Sequence, residues 1–509
     1  MQTSSPASAQ PDLSGGFSSS RLLGWLLPAL VALICIRVWV LPLSSSFWVD
    51  EMGTAFVVQR GAQDPSLRAA PQVSESIYYA LAGVSTKLFG TSEAAYRLPS
   101  LLAMVLALFF IYRLAVKLIH PAAAWFAVFT CLSLRGFNYQ AADARPYALG
   151  TCVAAASLLL LIRWLDSGRY LDGLFFAVAA TLLWRVHLIY WPFYLIFFLY
   201  ALVRLWRSDT KASWLQAAVV FVLLGISLLP VLATALALNR QAGAHVIVPK
   251  PSLNELTTDI KVGLVVGAAA LAALAARWLR WPEPASSVSS RGALLILSWW
   301  LCQPIALLAY SWITGHSVFL GRYLSIALPG AALSATMVAA LFVPADRWRP
   351  MSLALGVGVL LFMGQWSKLL PTHDNSGWRA AVEKIQALDL DAATPVICPS
   401  PFIEAKPPVW TPDYPLPGFL YAHLFAYPIP GKIYPFPFES SPETERYAAG
   451  LTKDVLAKSQ RFVVYGGDVN VRFWRNWFAT RVELTGWNRR TLGPFGDVDA
   501  VEFTPPAQH

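Results

Sequence analysis

The sequence predicts an α-helical polytopic membrane protein with a C-terminal extracytoplasmic α/β domain. Of its 509 residues, 56% are hydrophobic and only 13% are charged, whereas about a quarter of the residues are charged in a soluble protein. Apolar runs close to the ~20 residues that cross a bilayer recur as far as residue 370. Because backbone groups in lipid must be bonded within their own segment, these continuous runs are predicted to be helices.

We predict about eleven transmembrane helices from these runs. They cover residues 22–43, 98–118, 121–138, 145–164, 172–186, 189–206, 214–236, 260–277, 292–313, 323–343 and 351–370. Residues 1–21 are rich in Ser, Pro and Gly and are predicted to be a disordered cytoplasmic N-terminus. The segment 22–370 is therefore predicted to be one transmembrane domain.

The distribution of Lys and Arg predicts how these helices are oriented. Basic residues cluster in alternate loops, for example Arg113 with Lys117 and Arg204 with Arg207. Such loops stay on the cytoplasmic side of a membrane. The net charge of +10 is explained in this way and does not indicate nucleic-acid binding. The N-terminus is then cytoplasmic, and the loop 44–97 and the region after 370 face outward.

The composition changes at residue 371, where a second domain is predicted to span 371–509. The segment "GWRAAVEKIQALDL" has the apolar spacing of a helix, and "TPVICPS", "RFVVYGG" and "DAVEF" are typical of strands. We therefore expect a small α/β domain with a long, Pro-rich and aromatic excursion at 405–437. Its aromatic residues are interpreted as core and interface residues rather than as a dedicated sugar-binding surface.

Ionisable residues from four separate parts of the chain are predicted at the outer boundary of the helices. They are Asp50 and Glu51 in "FWVDEMG", Asp143 and Arg145 in "DARPY", His187 in "WRVHLIYWP", and Arg322 in "GRYLS". Each alone has an ordinary explanation as a solvated loop residue or an interface residue. Ionisable groups at membrane depth are rare and usually functional, so their combination predicts one site. Arg97 and Arg113 are interpreted as anchors that set orientation.

Five motifs occur in a fixed order: "FWVDE", "SEAAYRLPSLLA", "DARPYALG", "GRYLSIALPG" and "GWRAAVEKI". In this order they resemble bacterial membrane glycosyltransferases of the GT-C fold. That group includes protein O-mannosyltransferases, lipid A aminoarabinose transferases and lipopolysaccharide-core transferases. The resemblance implies a sugar transferred from a polyprenyl-phosphate donor to a lipid, glycan or protein acceptor on the outer side of the cytoplasmic membrane. It implies no nucleic-acid partner.

The resemblance also implies roles for individual residues. Asp50 is expected to be the general base of a single-step displacement with inversion, with Glu51 and Asp143 as further catalytic acids. Cations and hydroxyls are expected to bind the donor phosphate, because guanidinium groups match phosphate oxygens bidentately. The expected phosphate-binding residues are Arg145, Tyr147, His187, Arg322 and Tyr323, with Arg240 and Lys250 in reserve.

The chain departs from this family at Ser74, Glu75 and Ser76, where many relatives carry His-Pro-Pro. The departure removes an imidazole and adds a carboxylate, which puts any contact made there in doubt. No cofactor is required by the resemblance. The acids Asp50, Glu51, Glu75 and Asp143 could nevertheless hold a divalent cation through oxygen ligands, so the metal set Asp50, Glu75 and Asp143 stays open.

Two other functions fit parts of the pattern. A polytopic secondary transporter also places charged groups among helices, but such proteins usually contain repeats and bind near the midplane of the membrane. A lipid-linked oligosaccharide ligase or polymerase would use the same class of donor and transfer a whole glycan. Flux in proteoliposomes without a glycosylated product would identify the transporter.

Overall fold

The structure is a computed structural model that describes residues 19–69, 76–241, 249–284, 288–368 and 370–506. Most of the predicted N-terminal segment, residues 1–18, lies outside the described residues, and so does Glu75. The helices before residue 370 are α1 Ser19–Cys35, α2 Val49–Arg60, α3 Tyr78–Phe89, α4 Glu93–Leu118, α5 Ala124–Leu132, α6 Arg135–Tyr139, α7 Tyr147–Ser167, α8 Tyr170–Val186, α9 Tyr194–Trp206, α10 Trp214–Gln241, α11 Leu253–Asp259, α12 Val262–Trp278, α13 Ser290–Thr314, α14 Gly321–Leu324, α15 Leu328–Ala339 and α16 Trp348–Phe362.

The predicted count of spans is not confirmed. Among the described residues, six helical stretches are long and apolar enough to cross a membrane, and the bent pair α11–α12 makes a seventh if it is one span. The six are Trp25–Ser44, Glu93–Leu118, Tyr147–Ser167, Leu188–Trp206, Trp214–Thr234 and Ser290–Thr314. The other predicted spans contain shorter helices, such as α5 with 9 residues and α15 with 12. Membrane crossing at those places therefore remains a prediction.

The first span ends in a change of helix type. After α1 the chain forms a π-helical turn at Ile36–Val40 and a 3₁₀ turn at Leu41–Ser44. The π turn directs the buried indole of Trp39 to Asn138 Oδ1 at 2.9 Å. It also directs Arg37 to the carbonyl oxygen of Gln365 at 2.5 Å. Such turns usually mark functional sites, and this one fixes the chain immediately before the loop that carries Asp50.

The loop 44–97 is largely helical where the structure describes it, with α2 and α3 as its two longest helices before α4 begins. The acids Asp50 and Glu51 lie in the first turn of α2, where the positive end of the helix dipole stabilises negative charge. Every residue from Glu51 to Val57 is buried. The middle of helix α2 is thus buried, and its first turn carries Asp50 to the site.

The C-terminal domain contains a five-stranded sheet of order β2-β1-β3-β5-β4. Its elements are α17 Trp378–Gln386, β1 Pro395–Pro399, α18 Ala422–Ala426, β2 Lys432–Phe436, α19 Pro442–Asp454, β3 Phe462–Gly467, α20 Asp468–Ala479, β4 Asn488–Thr491 and β5 Val498–Thr504. Strand β1 is parallel to β2 and β3, whereas β5 is antiparallel to β3 and β4. The three predicted strands are confirmed as the central strands β1, β3 and β5.

The C-terminal domain and the loop 44–97 share one hydrophobic core. Phe56 of α2 packs edge-on against Phe419 and Phe425 of the excursion, with ring centroids 5.9 and 5.4 Å apart. A Cβ at Gly53 would lie 3.3 Å from the Phe419 ring, which explains why a glycine faces that ring. The aromatic residues of the excursion therefore include core residues, as the sequence analysis expected.

Polar contacts fasten the same interface. The Arg379 guanidinium of α17 pairs with Glu93 at the start of α4. The Tyr427 hydroxyl donates to Glu93 Oε1 at 2.7 Å and accepts from the Phe47 backbone N–H at 2.9 Å. The C-terminal domain is therefore bonded to both ends of the loop 44–97, which carries α2.

Candidate active site

Asp50 meets two arginines that are distant in sequence. Its Oδ2 lies 3.1 Å from Nη1 of Arg322, on α14, and 3.9 Å from Nη2 of Arg145, which precedes α7. The three side chains are partly accessible, with 23% of Asp50, 36% of Arg322 and 12% of Arg145 exposed. The convergence expected from the sequence is thus observed for these residues.

Aromatic rings surround the two guanidinium groups. The guanidinium carbon of Arg322 lies 5.8 Å from the Trp48 ring and 5.5 Å from the Tyr323 ring. The guanidinium carbon of Arg145 lies 5.9 Å from the Tyr147 ring. Cations are attracted to aromatic faces at these distances, so the rings orient both arginines.

The expected phosphate-binding aromatics form one cluster. The Tyr147 ring centroid is 5.6 Å from that of His187 and 6.1 Å from that of Tyr323. The cluster also contains Tyr190, 5.8 Å from His187, which the sequence analysis did not select. A Cβ at Gly150 would lie 2.3 Å from the Tyr190 ring. Only glycine therefore lets α7 approach that tyrosine so closely.

The position of the proton on His187 follows from its backbone contact. Its Nδ1 accepts a hydrogen bond from the Ile189 N–H at 3.1 Å. A neutral imidazole whose Nδ1 accepts must carry its proton on Nε2. His187 therefore presents a neutral donor within the cluster.

Glu51 forms a fully buried ion pair with Arg97. Nε of Arg97 lies 2.7 Å from Oε1 and Nη2 lies 2.5 Å from Oε2, and both side chains are 0% exposed. The Ala144 N–H donates to Oε1 at 2.7 Å and the Trp48 N–H to Oε2 at 3.2 Å. Both oxygens of Glu51 are thus engaged twice, and the group orients its neighbours.

Arg97 joins this pair to the backbone of the loop. Its Nη1 donates to the carbonyl oxygens of Leu43 and Ser45 at 2.9 and 2.7 Å, and its Nη2 donates to that of Ser46 at 3.1 Å. Burial alone would raise the pKa of Glu51, but the charge and hydrogen bonds of Arg97, together with His373 and the Ala144 N–H, outweigh burial and hold that pKa below its ordinary value. The interpretation of Arg97 as an orientation anchor is therefore replaced by a structural role beside Asp50.

Asp143 contacts Trp48 and is 1% exposed. Its Oδ1 accepts from the Trp48 indole N–H at 3.0 Å and is 3.7 Å from Nε2 of His373. Burial raises the pKa of Asp143, and the Glu51 carboxylate adds to that rise, while His373 and the indole oppose it. Asp143 therefore borders the site without contacting Arg145 or Arg322 through the bonds described here.

His373 was missed by the sequence analysis. It belongs to the segment that joins α16 to α17, its side chain is 2% exposed, and its ring centroid is 4.1 Å from that of Tyr139. Its backbone N–H donates to Ser45 Oγ at 3.0 Å. The surrounding "PTHDNSG" is typical of a polar linker, so the sequence carried no signal for this residue.

One group of side chains near the site has the atoms to bind a divalent cation. Among the described residues, Glu51, Asp143 and His373 place potential ligand atoms within 4.8 Å of one another. The Arg97 cation already occupies both Glu51 oxygens, so this group does not fit a second cation. The expected set of Asp50, Glu75 and Asp143 includes Glu75, which lies outside the described residues, and it stays a prediction.

The two reserve cations are placed differently. Lys250 is exposed, and its Nζ lies 5.9 Å from the centroid of the Trp312 ring. Arg240 belongs to the last turn of α10, where its side chain falls outside the described part of the structure. Their role in binding a phosphate stays a prediction.

Comparisons with known proteins agree with this architecture. The family model described as dolichyl-phosphate-mannose-protein mannosyltransferase matches residues 77–232. The chain is similar to the crystal structure of apo ArnT from Cupriavidus metallidurans, with a TM-score of 0.55, 12% identity and coverage of 95% of this chain and 98% of that chain. The structure of the same protein bound to undecaprenyl phosphate gives a TM-score of 0.51, 11% identity and the same coverage. No match was found among the curated proteins.

These likenesses confirm the fold class predicted from the sequence, a GT-C-like helical membrane domain followed by a small sheet-containing domain. The region matched by the family model includes Arg97, Asp143, Arg145 and His187. It ends before Arg322, so the meeting of Asp50 with both arginines is a finding of the structure.

Proposed function

We propose that this protein is an integral membrane glycosyltransferase that moves a sugar from a polyprenyl-phosphate donor to an acceptor on the outer side of the cytoplasmic membrane. The observation that carries the proposal is the contact of one accessible carboxylate, Asp50, with the guanidinium groups of Arg322 and Arg145. The protein also shares its fold with a protein whose crystal structure contains undecaprenyl phosphate. This likeness supports a lipid-phosphate donor.

The proposed reaction is one displacement with inversion at the anomeric carbon. Asp50 takes the proton of the acceptor hydroxyl or amine, whose heteroatom forms the new bond to that carbon. The bond from the carbon to the phosphate oxygen breaks, and its electron pair leaves with the polyprenyl phosphate. Arg145 and Arg322 stabilise the charge that grows on this phosphate.

The arrangement favours an enzyme over a transporter. Transporters bind near the midplane, on discontinuous helices, whereas Asp50 lies on a helix of the outer loop that is packed into a folded domain. A lipid-linked oligosaccharide ligase or polymerase shares the proposed donor class. The product of transfer distinguishes the proposed enzyme from a ligase or polymerase. The proposed enzyme would place a single sugar on the acceptor, whereas a ligase or polymerase would place a whole glycan there.

The proposed orientation has support from contacts between the basic loops. Lys117 and Arg204 both pair with Asp166 at 2.8 Å, and Arg291 pairs with Asp209 at 2.9 Å. These contacts gather the ends of α4, α7, α9 and α13 on one face. We assign that face to the cytoplasm, and the C-terminal domain to the periplasmic or extracellular side of the inner membrane.

The direct test of this function is transfer of a labelled sugar. Membranes containing the protein are incubated with radiolabelled polyprenyl-phosphate sugars, and the label is followed into lipid, glycan and protein fractions. Label in an acceptor fraction supports the proposal. Label that only crosses sealed proteoliposomes would establish a transporter instead.

Replacing Arg322 is expected to weaken donor binding. Arg322→Lys retains the charge but loses the planar fork that matches phosphate oxygens, and the loss of one charge-assisted hydrogen bond corresponds to about tenfold. We expect the KM for the donor to rise about tenfold, measured by steady-state transfer. Arg349→Lys, at an exposed position, is the matched control. Equal KM values for the two variants would remove Arg322 from the phosphate site.

Transfer is expected to proceed without a divalent cation. Glu51 is already paired with the Arg97 guanidinium and does not need a metal ion as its counter-charge. We propose that Arg145 and Arg322 supply the positive charge that stabilises the leaving phosphate. Turnover should be unchanged after treatment with excess EDTA and removal of the chelated metal. Loss of turnover that added Mg²⁺ or Mn²⁺ restores would contradict this proposal.

A further inference from the structure

Asp50 and a phosphate need the same donor atoms. We propose that the ionised Asp50 carboxylate and the donor phosphate compete for Arg322, so that donor binding itself frees the base for the acceptor. This inference rests on the proposed function and adds an order of binding, donor first and acceptor second. It also gives Asp50 a second task, displacing the product phosphate.

The hydrogen bonds in the site support competition. The Asp50 carboxylate has one contact within hydrogen-bond distance of the two guanidinium groups, the 3.1 Å contact to Arg322 Nη1, because Arg145 Nη2 is 3.9 Å from it. Arg145 Nη1 donates instead to the backbone carbonyl oxygen of Asp50 at 3.3 Å. The Nε atoms of both arginines are buried and have no partner among the described residues. One carboxylate therefore leaves guanidinium donors unused, whereas the oxygens of a phosphate offer more acceptors in a wider arrangement.

The neighbouring acids are not available to replace Asp50. Both Glu51 oxygens are held by Arg97 and by backbone N–H groups. Asp143 is buried and accepts a hydrogen bond from the Trp48 indole N–H. Asp50 is thus the carboxylate that a phosphate arriving at Arg322 must displace.

The proposed competition for Arg322 gives the order of events, and charge is balanced at each step. A donor phosphodiester, with one negative charge, takes over Arg322 and leaves ionised Asp50 to accept the acceptor proton. After transfer, Asp50 carries that proton and the polyprenyl phosphate has gained one negative charge. Asp50 then gives the proton to solvent water, pairs again with Arg322 and displaces the product.

The test measures binding of undecaprenyl phosphate to the full-length protein in detergent, with Asp50→Asn against wild type. Asp50→Asn removes the partly exposed ion pair between Asp50 and Arg322. The variant is therefore expected to bind undecaprenyl phosphate about fivefold more tightly than wild type. Asp50→Glu, which keeps the charge, should bind as weakly as wild type. Asp413→Asn, which removes the same charge from an exposed loop position, should leave affinity unchanged.

A double-mutant cycle locates the competition at Arg322. In an Arg322→Gln background, Asp50→Asn should no longer tighten binding, because the shared partner is gone. Equal or weaker binding by Asp50→Asn would overturn the inference, and so would a gain that persists without Arg322. Failure of the proposed function is a separate outcome, seen as sugar transfer by Asp50→Asn at the wild-type rate.

Discussion

Asp50→Asn is expected to lower the rate of sugar transfer by about 10²–10⁴, the range that a positioned general base contributes. Asn has nearly the same size and keeps an oxygen that can accept from Arg322, but its amide cannot take a proton from the acceptor. Because 23% of the Asp50 side chain is exposed, the change buries no new group. The protein should therefore fold and bind donor while failing in the chemical step.

The measurement is single-turnover transfer with a labelled polyprenyl-phosphate sugar, after folding has been checked by size-exclusion chromatography. Single turnover separates chemistry from product release, which matters because Asp50 is also proposed to displace the product. Asp413→Asn serves again as the charge-matched control. A single-turnover rate within twofold of wild type would exclude Asp50 as the base.

The site could be predicted where local sequence and topology point to the same place. Asp50, Arg145 and Arg322 each lie next to an apolar run and at the same predicted boundary, and the structure brings them together. Arg97 lies one turn inside α4, where its position resembles that of an orienting charge. Its buried partner, Glu51, is distant in sequence, so only the three-dimensional structure shows the pair.

The helix count was less predictable for a physical reason. An apolar run in the sequence reflects composition alone. The backbone can change direction within such a run without changing its mean hydropathy. The run 323–343 begins inside α14 and continues through a 3₁₀ turn at Ser325–Ala327 into α15. Arg322 lies on α14, just before this run, and contacts Asp50. The departures from regular helices thus occur near the site.

The strands show the same limit. Strands β1, β3 and β5 are buried at nearly every position and have the short apolar pattern of central strands. Strand β4 is exposed throughout, and β2 contains Pro435. Edge strands of this kind depend on pairing with a neighbour rather than on their own pattern, so neither strand could be predicted from its residues.

Breaking the Glu51–Arg97 pair is expected to destabilise the protein strongly. Arg97→Met leaves a buried carboxylate without its cation, and Glu51→Gln leaves a buried guanidinium without its anion. Removing one member of a buried pair costs about 3–5 kcal/mol. Each variant should therefore unfold at a lower temperature in detergent and should lose transfer, because Arg97 also holds the backbone of the loop before α2.

The double variant tests whether the cost arises from an unpaired charge. Glu51→Gln combined with Arg97→Met removes both charges, so it should be more stable than either single variant. Asp346→Asn, at an exposed pair with Arg347, is the control and should change the melting temperature little. Single variants as stable as this control would show that the pair does not hold the loop.

The pair also predicts how stability varies with pH. The pKa of Glu51 is lower in the folded protein than its ordinary value of 4.5, so the unfolded chain binds more protons in the interval between the two. The stabilisation is therefore fully present above pH 4.5 and is lost as the pH falls through the lower, folded pKa. Glu51→Gln has no such group, so the difference in melting temperature between wild type and this variant should shrink with acidification below pH 4.5. A difference that stays constant over that interval would mean that Glu51 is not ionised in the folded protein, and the assignment of Arg97 as its charge partner would fail with it.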